Sequence, residues 1–274
     1  DGKAAARSVV QFLTAQDYTG AIFEIAVPDL AGSLGGGGRY DNLVGMFLGR
    51  DVPACGFSLG LERIIVVMTE RHMFPAAVGA AAADLKRLAE EWVLPVSPTH
   101  RRPHLFDAGH ANYGGYMGIR VPKDLIGEMK KADLLVSLGE RITDSVSQSY
   151  TFPNAPQPQL PLVHVWPDAN EVGRVWRPDL GIAADPHSVV QALLARPAPV
   201  VTEARRDWVK GLHTIHRRLM EPTWEETPDG VNFAAVVAEI GKHMAPDAAV
   251  TSDAGNFSSF IHRYIPFQTG QIFL

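Results

Sequence analysis

Two local patterns with no shared periodicity divide this chain near residue 76. Ahead of the division lie Gly35-Gly-Gly-Gly-Arg-Tyr-Asp41 and Gly56-Phe-Ser-Leu-Gly-Leu-Glu-Arg63. Behind it, from about residue 80, short apolar runs alternate with amphipathic stretches, the signature of a parallel α/β sheet. A length of 274 residues accommodates one large or two modest domains. The expected fold class is α/β: a doubly wound parallel central sheet, with a partial mixed α+β segment before it and an incomplete α/β domain after it. The expected boundaries are 1–75, 76–200, a linker helix over 201–230, and 231–274. A start at Asp1 rather than Met and an apolar Ile272-Phe-Leu ending read as a fragment of something longer.

Composition excludes several classes. Hydrophobic residues make up 46% and charged residues 20%, as in ordinary globular chains with enough apolar surface for cores. Net charge is −5 and no basic stripe is dense enough for a nucleic-acid footprint. Arg205, Arg206, Lys210, Arg217 and Arg218 fall on a helical stretch and read as a solvated face. The single Cys55 excludes an internal disulfide and points to a reducing, cytoplasmic setting. Apolar runs such as Ile64–Met68 are far too short to span a membrane.

In the first segment, Ala21–Val27 is a strand by its branched apolar content. Five glycines in the seven positions 32–38 imply a loop, since they remove side chains and permit positive φ. Apolar residues at 43, 44, 46 and 47 have helical spacing. Val52–Leu59 reads as a buried strand, and Gly60-Leu-Glu-Arg begins a helix through Met68. A glycine loop facing a strand-to-helix junction that carries an arginine suits a phosphate or a base. No Gly-Lys-Ser/Thr ending follows, so this is not a P-loop.

Thr19-Gly-Ala-Ile-Phe-Glu-Ile, Gly36-Gly-Gly-Arg-Tyr-Asp and Gly56-Phe-Ser-Leu-Gly-Leu-Glu-Arg together resemble the end of a histidyl-tRNA synthetase catalytic core, the last block resembling class II motif 3. The resemblance implies that Arg63 contacts ATP and that Tyr40, with Gly37 and Gly38, lines an ATP and histidine site. The family's Arg-Gly-Leu-Asp-Tyr-Tyr is replaced by Leu13-Thr-Ala-Gln-Asp-Tyr18. Leu13 thus stands where the family uses an arginine near the adenylate.

In the second segment, Ala80–Glu91 is an amphipathic helix and Val93–Val96 a short strand. His110–Gly118 is a loop and Leu125–Lys131 a helix. Asp133-Leu-Leu-Val-Ser-Leu-Gly139, Leu162–Trp166 and Gly181–Asp185 read as buried strands, and His187–Ala195 as a helix. Ligands of such sheets sit beyond the carboxyl ends of the strands, here near Gly139–Arg141, His164–Asp168 and Asp185. His100, His104 and His110 lack metal spacing and read as loop or packing residues.

Farther on, Arg205–Met220 is a helix with Trp208, Leu212, Ile215 and Leu219 on one side, read as a connector. Val231–His243 is a helix with apolar positions 233, 236, 237 and 240. His213 and His216 read as surface histidines. Ala248–Asp253 is a strand turning into a helix through Ala254-Gly-Asn-Phe-Ser-Ser, a natural cradle for a diphosphate.

Leu88-Ala-Glu…Leu94-Pro-Val, His110…Tyr113-Gly-Gly-Tyr-Met-Gly, Ala132-Asp-Leu-Leu-Val-Ser-Leu-Gly, His164-Val-Trp-Pro-Asp and Arg177-Pro-Asp-Leu…Ala184-Asp-Pro occur in an order and spacing similar to the central domain of thiamine-diphosphate-dependent enzymes of the acetolactate synthase-like group. That resemblance implies thiamine diphosphate and Mg2+ as cofactors, a 2-keto acid substrate, transferase or lyase chemistry, and a homo-oligomer. In some relatives the central domain holds FAD; in others it is empty. Asp253, Gly255, Asn256 and Ser258 would line the diphosphate, with Phe257 where some relatives place a histidine. The family's Gly-Asp-Gly…Asn metal motif would lie beyond Leu274, and its activating glutamate belongs to a domain that synthetase-like sequence replaces. No catalytic residue and no protein metal ligand is therefore assigned here. Three functions follow as expectations: a fragment of a 2-keto acid carboligase or decarboxylase, inactive alone; a histidine–tRNA ligase fragment, with tRNA as partner only then; or a non-catalytic chimeric binding or structural protein.

Overall fold

The computed structural model describes residues 9–13, 22–27, 32–39, 46–50, 52–71, 76–100, 102–223, 226, 228, 230–252 and 255–273. The chain separates into two compact units, Asp1–Pro75 and Ala76–Leu274.

The first unit is an antiparallel four-stranded meander, β1 (Val9–Leu13), β2 (Ile22–Ala26), β3 (Ser33–Arg39) and β4 (Cys55–Leu59), in the order β1-β2-β3-β4. Helix α1 (Leu61–Glu70) follows β4 directly. The glycine run expected as a loop is strand β3, an inner strand of the sheet. Glycine normally weakens a strand, but here the absence of side chains is required by close approach. A Cβ on Gly37 would collide with the Gly56 carbonyl and lie 2.9 Å from the Phe23 ring. Gly37 pairs with Phe23 on one side and Phe57 on the other, and those two rings lean together over it at 6.2 Å between centroids. Gly36 is different, since the nearest atom to its added Cβ is 3.5 Å away. Residues 46–48 are helical, within the stretch where the apolar spacing predicts a helix; positions 43 and 44 lie outside the described residues.

The second unit is built around three parallel strands, β5 (Leu135–Leu138), β6 (Leu162–Trp166) and β7 (Leu180–Ala183), in the order β5-β6-β7. The α/β class with a parallel sheet is thus present. Among the described residues these strands follow one another in sequence order, without a reversal. The links between neighbouring strands, residues 139–161 and 167–179, are turns and irregular chain rather than helices. Both exceed about a dozen residues, the length a parallel crossover needs. The helices lie elsewhere in the order: α2 (Ala76–Trp92), α3 (Lys123–Met129), α4 (Pro186–Leu194), α5 (Glu203–Met220), α6 (Phe233–His243) and α7 (Ser258–Tyr264). Residues 93–96, expected as a strand, make only one isolated bridge, Val96 to Tyr113.

Helix α5, expected as a connector, packs into the body. Its apolar stripe, Trp208, Leu212, Ile215 and Leu219, joins Leu125, Met129 and Phe152 in one core cluster. The Trp208 indole N–H donates to the Glu128 carbonyl at the end of α3, 3.0 Å away. On the opposite side Arg206, Lys210, Arg217 and Arg218 are exposed, as the solvated-face reading expects, whereas Arg205 is half-buried and donates to the Trp92 carbonyl at 3.4 Å. Arg218 pairs with Asp124 at 2.8 Å, an exposed contact of small worth.

Helix α6 presents a different face from the one its spacing indicates. Ala234 and Val237 are buried beside Tyr264, Ile265, Phe267 and Phe273, while Phe233, Val236 and Ile240 are exposed. The core it meets is small, so a narrow alanine–valine stripe suffices. Two-residue strands β8 (Ala249–Val250) and β9 (Ile272–Phe273) pair in parallel beside it.

Gly37→Ala should destabilise the first unit and Gly36→Ala should not, although both put one methyl on the same strand. Thermal unfolding of the two variants separates the outcomes; equal midpoints would contradict close strand approach. Leu212→Ala, at 1% exposure, should cost about 2–5 kcal/mol in denaturant unfolding of the second unit.

Candidate functional site

The carboxyl ends of β5, β6 and β7 gather the residues that the sheet topology singles out. Gly139 leaves β5 at φ +70°, and a Cβ there would sit 2.9 Å from Pro186 at the start of α4. Close packing and a left-handed backbone both demand glycine at this turn. The next residue, Glu140, organises the region. Its carboxylate accepts the Thr99 hydroxyl at 2.7 Å and the Ile142 N–H at 3.1 Å. Its carbonyl accepts the Ser137 hydroxyl at 3.0 Å and the His164 Nε2–H at 3.0 Å. Because Nε2 must carry the proton to donate, neutral His164 leaves Nδ1 as a bare lone pair. That atom is buried and has no hydrogen-bond partner.

The other expected ligand residues are also engaged within the chain. The Arg141 guanidinium lies 5.2 Å above the Trp166 ring and 3.5 Å from Glu171. The Asp168 carboxylate accepts the Asn170 N–H at 2.9 Å. Asp185 caps α4 by accepting the Ser188 N–H at 2.9 Å, and that bond holds its carboxyl below the ordinary carboxylate range. Gly139, Glu140, His164 and Trp166 therefore meet at one end of the sheet, in a network whose donors and acceptors mostly satisfy one another. Thr99 lies 41 residues from Glu140, a spacing that no local pattern reveals; Glu140 was findable as the residue after the strand-ending glycine.

In the first unit, Arg63 projects from the first turn of α1. Its guanidinium lies over Gly32, where an added Cβ would sit 2.8 Å from Nη2. The Gly60 N–H donates to the Leu34 carbonyl at 2.8 Å, which fixes the start of α1 against the entry of β3. Gly37 and Gly38 are on β3, paired with Phe57 and Gly56, so they are ladder positions rather than an open loop. Tyr40 lies outside the described residues.

At the carboxyl-terminal turn, Asp253 also lies outside the described residues. The expected diphosphate cradle is closed around itself. A Cβ on Gly255 would meet the Phe257 ring at 2.5 Å, so the space that glycine leaves is filled by this chain's own side chain. The Ser258 hydroxyl donates to the Gly255 carbonyl at 2.8 Å and the Ser259 hydroxyl to the Asn256 carbonyl at 2.7 Å. The N–H groups of Ser258, Ser259 and Phe260 bond to the carbonyls of Gly255, Asn256 and Phe257. A diphosphate needs donors, and these three N–H groups are already taken by the turn's own carbonyls, an arrangement that does not fit the group as it stands.

The histidines divide by burial. His110 meets the Glu90 carboxylate at 3.0 Å, and His104 accepts the Phe273 N–H at 3.2 Å; both serve the packing expected of them. His213 borders the Tyr113 carbonyl at 3.2 Å. His216, expected at the surface, is buried at 4% exposure with its ring 4.5 Å from that of Tyr113. It lies on the inward side of α5, one turn from Leu212, which a stripe drawn through the aliphatic residues alone overlooks. No group of three or more His, Cys, Asp or Glu among the described residues could hold a metal ion. No helix among them is long and apolar enough to cross a membrane.

With this geometry in hand, two families match separate parts of the chain. Residues 75–193 match the family described as thiamine pyrophosphate enzyme, central domain. Residues 12–64 match histidyl-tRNA synthetase. Among curated relatives, the histidine–tRNA ligase of Leifsonia xyli is 65% identical over 48 residues, 18% of this chain and 11% of that protein. The histidine–tRNA ligase of Aeropyrum pernix is 38% identical over 105 residues, 38% of this chain and 22% of the relative. The cytoplasmic histidine–tRNA ligase of Oryza sativa is 52% identical over 70 residues, 25% and 9% respectively. The chain spans about a tenth to a fifth of the length of these relatives. The chain thus joins a region similar to the central domain of thiamine pyrophosphate enzymes to a region similar to histidyl-tRNA synthetase, each over a bounded stretch.

Burial pulls the His216 pKa down to about 4 from 6.5, with His213 and Arg217 acting in the same direction. Between those values the unfolded chain binds the proton that the folded chain refuses. Stability from this group is therefore whole above pH 6.5 and is lost as pH falls from 6.5 toward 4, at up to about 1.4 kcal/mol per pH unit. His216→Phe should flatten the pH dependence of unfolding in that window, measured by denaturant titration at pH 7, 6 and 5. An unchanged slope would contradict a neutral buried ring.

Proposed function

We propose that residues 76–274 are the central-domain scaffold, and the approach to a cofactor domain, of a thiamine-diphosphate-dependent enzyme of the acetolactate synthase-like group acting on 2-keto acids. One observation carries this reading. The stretch that matches the central-domain family includes all of β5, β6 and β7 and the Gly139 turn. The cytoplasm is the compartment, and a homo-oligomer the assembly, that go with this reading. The role proposed for the domain is structural. Glu140, His164, Arg141 and Asp185 bond to neighbours in the same unit, which favours a domain without FAD. The self-satisfied turn at Gly255–Ser259 favours a chain that does not hold thiamine diphosphate unaided.

Accordingly, calorimetry with thiamine diphosphate and Mg2+ should show no binding tighter than millimolar, and pyruvate should not be converted to acetolactate. A micromolar signal that Asn256→Ala abolishes would reverse the structural role.

The synthetase-like region supports a second reading, a histidine–tRNA ligase fragment. Its support is the run of identity to histidine–tRNA ligases together with Arg63 held over Gly32. With Leu13 in place of the family's arginine, ATP's charge would rest largely on Arg63, and one exposed ion pair contributes only ~0–1 kcal/mol. ATP plus histidine should therefore give no calorimetric signal tighter than millimolar and no histidine-dependent pyrophosphate exchange. An Arg63-dependent micromolar signal would make this the functional half.

A further inference from the structure

We propose that His104 is an acid-sensitive latch that holds the carboxyl-terminal segment of the second unit, residues 258–273, against the stretch at residues 102–108. Two hydrogen bonds tie the seam, one to the His104 side chain and one between main chains. The Phe273 N–H donates to His104 Nδ1 at 3.2 Å, and the Ala108 N–H donates to the Phe267 carbonyl at 2.9 Å. Phe267 and Phe273, the residues these bonds reach, are 1% and 2% exposed. His262 of α7 sits within it, its ring 4.8 Å from that of His100 and 4.7 Å from that of Phe273.

The latch follows from the hydrogen bond's direction. Nδ1 accepts only while it carries no proton, so docking requires neutral His104 with its hydrogen on Nε2. A proton on Nδ1 would set one N–H against another, breaking the contact and leaving a charge in a mostly apolar seam. Burial and the neighbouring Arg102 guanidinium both hold the His104 pKa down, to about 4 from 6.5. Other charged and titratable groups lie around the seam. Arg102 and His100 share its segment, Tyr116 follows in the next loop, and His262 and Arg263 lie on α7; β9 contributes only Ile272 and Phe273. Asp107, the nearby carboxylate, accepts the Gly109 N–H at 2.8 Å. When the segment swings away, His104 regains its ordinary affinity for protons. Docking is therefore whole above pH 6.5 and weakens by up to about tenfold for each pH unit between 6.5 and 4. This device is independent of whether the chain binds thiamine diphosphate or ATP.

Hydrogen exchange read by mass spectrometry on the full chain, corrected for intrinsic rates, tests it at pH 7.5, 6.0 and 5.0. Peptides covering 262–273 should lose at least tenfold more protection between pH 7.5 and 5.0 than peptides covering 135–166. His104→Asn retains a side-chain acceptor without a titrating group and should make the 262–273 response flat; His104→Gln is the second variant. Should either variant lose the segment's protection already at pH 7.5 with 135–166 intact, His104 is still the tether and the proposal stands. Protection at 262–273 that is unchanged at pH 5.0, or lost in step with 135–166, overturns it. So does a wild-type pH response that persists in both variants.

Discussion

The second unit depends on one constraint: β6 lies between two strands and is covered on both faces. Leu162 and Val165 have no exposed surface and His164 has almost none. A polar atom that β6 carries inward without a partner costs on the order of 1–3 kcal/mol. The surrounding structure meets most of that demand, His164 Nδ1 being the exception. The Leu162 N–H is taken by the Asp179 carboxylate at 2.9 Å, and His164 Nε2 by the Glu140 carbonyl. Glu140 in turn ties Thr99 and Ile142 to the same point. Loops that carry no regular structure are thus positioned by the needs of one buried strand. The Trp176 indole N–H, donating to the Ile142 carbonyl at 3.2 Å, extends this order into the long crossover between β5 and β6.

The first unit has the opposite economy. Its inner strand β3 has four successive glycines, and their lack of side chains lets Phe23 and Phe57 close over the strand from either neighbour. Composition that disfavours a strand in isolation is accepted because the flanking strands supply both the ladder and the apolar cover. Local propensity and tertiary demand conflict here, and the tertiary demand prevails.

Much of the fold was legible in advance. The strands at 135–138 and 162–166 and the helices at 123–129 and 203–220 follow from apolar runs and helical spacing, and the stripe Trp208–Leu212–Ile215–Leu219 points inward as its period requires. The site was legible only in outline. The topology rule places Gly139, His164 and Asp185 toward one end of the sheet; Glu140, next to Gly139, bonds His164 there, while Asp185 caps α4. Thr99, whose hydroxyl completes the Glu140 network, carries no signal, because its partner is distant in sequence and an isolated threonine has no motif. The diphosphate turn shows the converse. Gly255, Asn256 and Ser258 have the right composition for a phosphate cradle, yet composition does not say whether a hydroxyl faces a ligand or the carbonyl three residues back.

Sequence alone determined the break near residue 76, the parallel α/β character beyond it and the two family resemblances, since each rests on periodicity or on residue order. Tertiary structure alone decided that the glycine run is a strand, that α5 is core rather than connector, that α6 buries Ala234 and Val237 instead of Val236 and Ile240, and that His216 is inside. Each of those outcomes depends on what packs against the element. Period and propensity describe one segment at a time, whereas burial is a property of the pair of surfaces that meet.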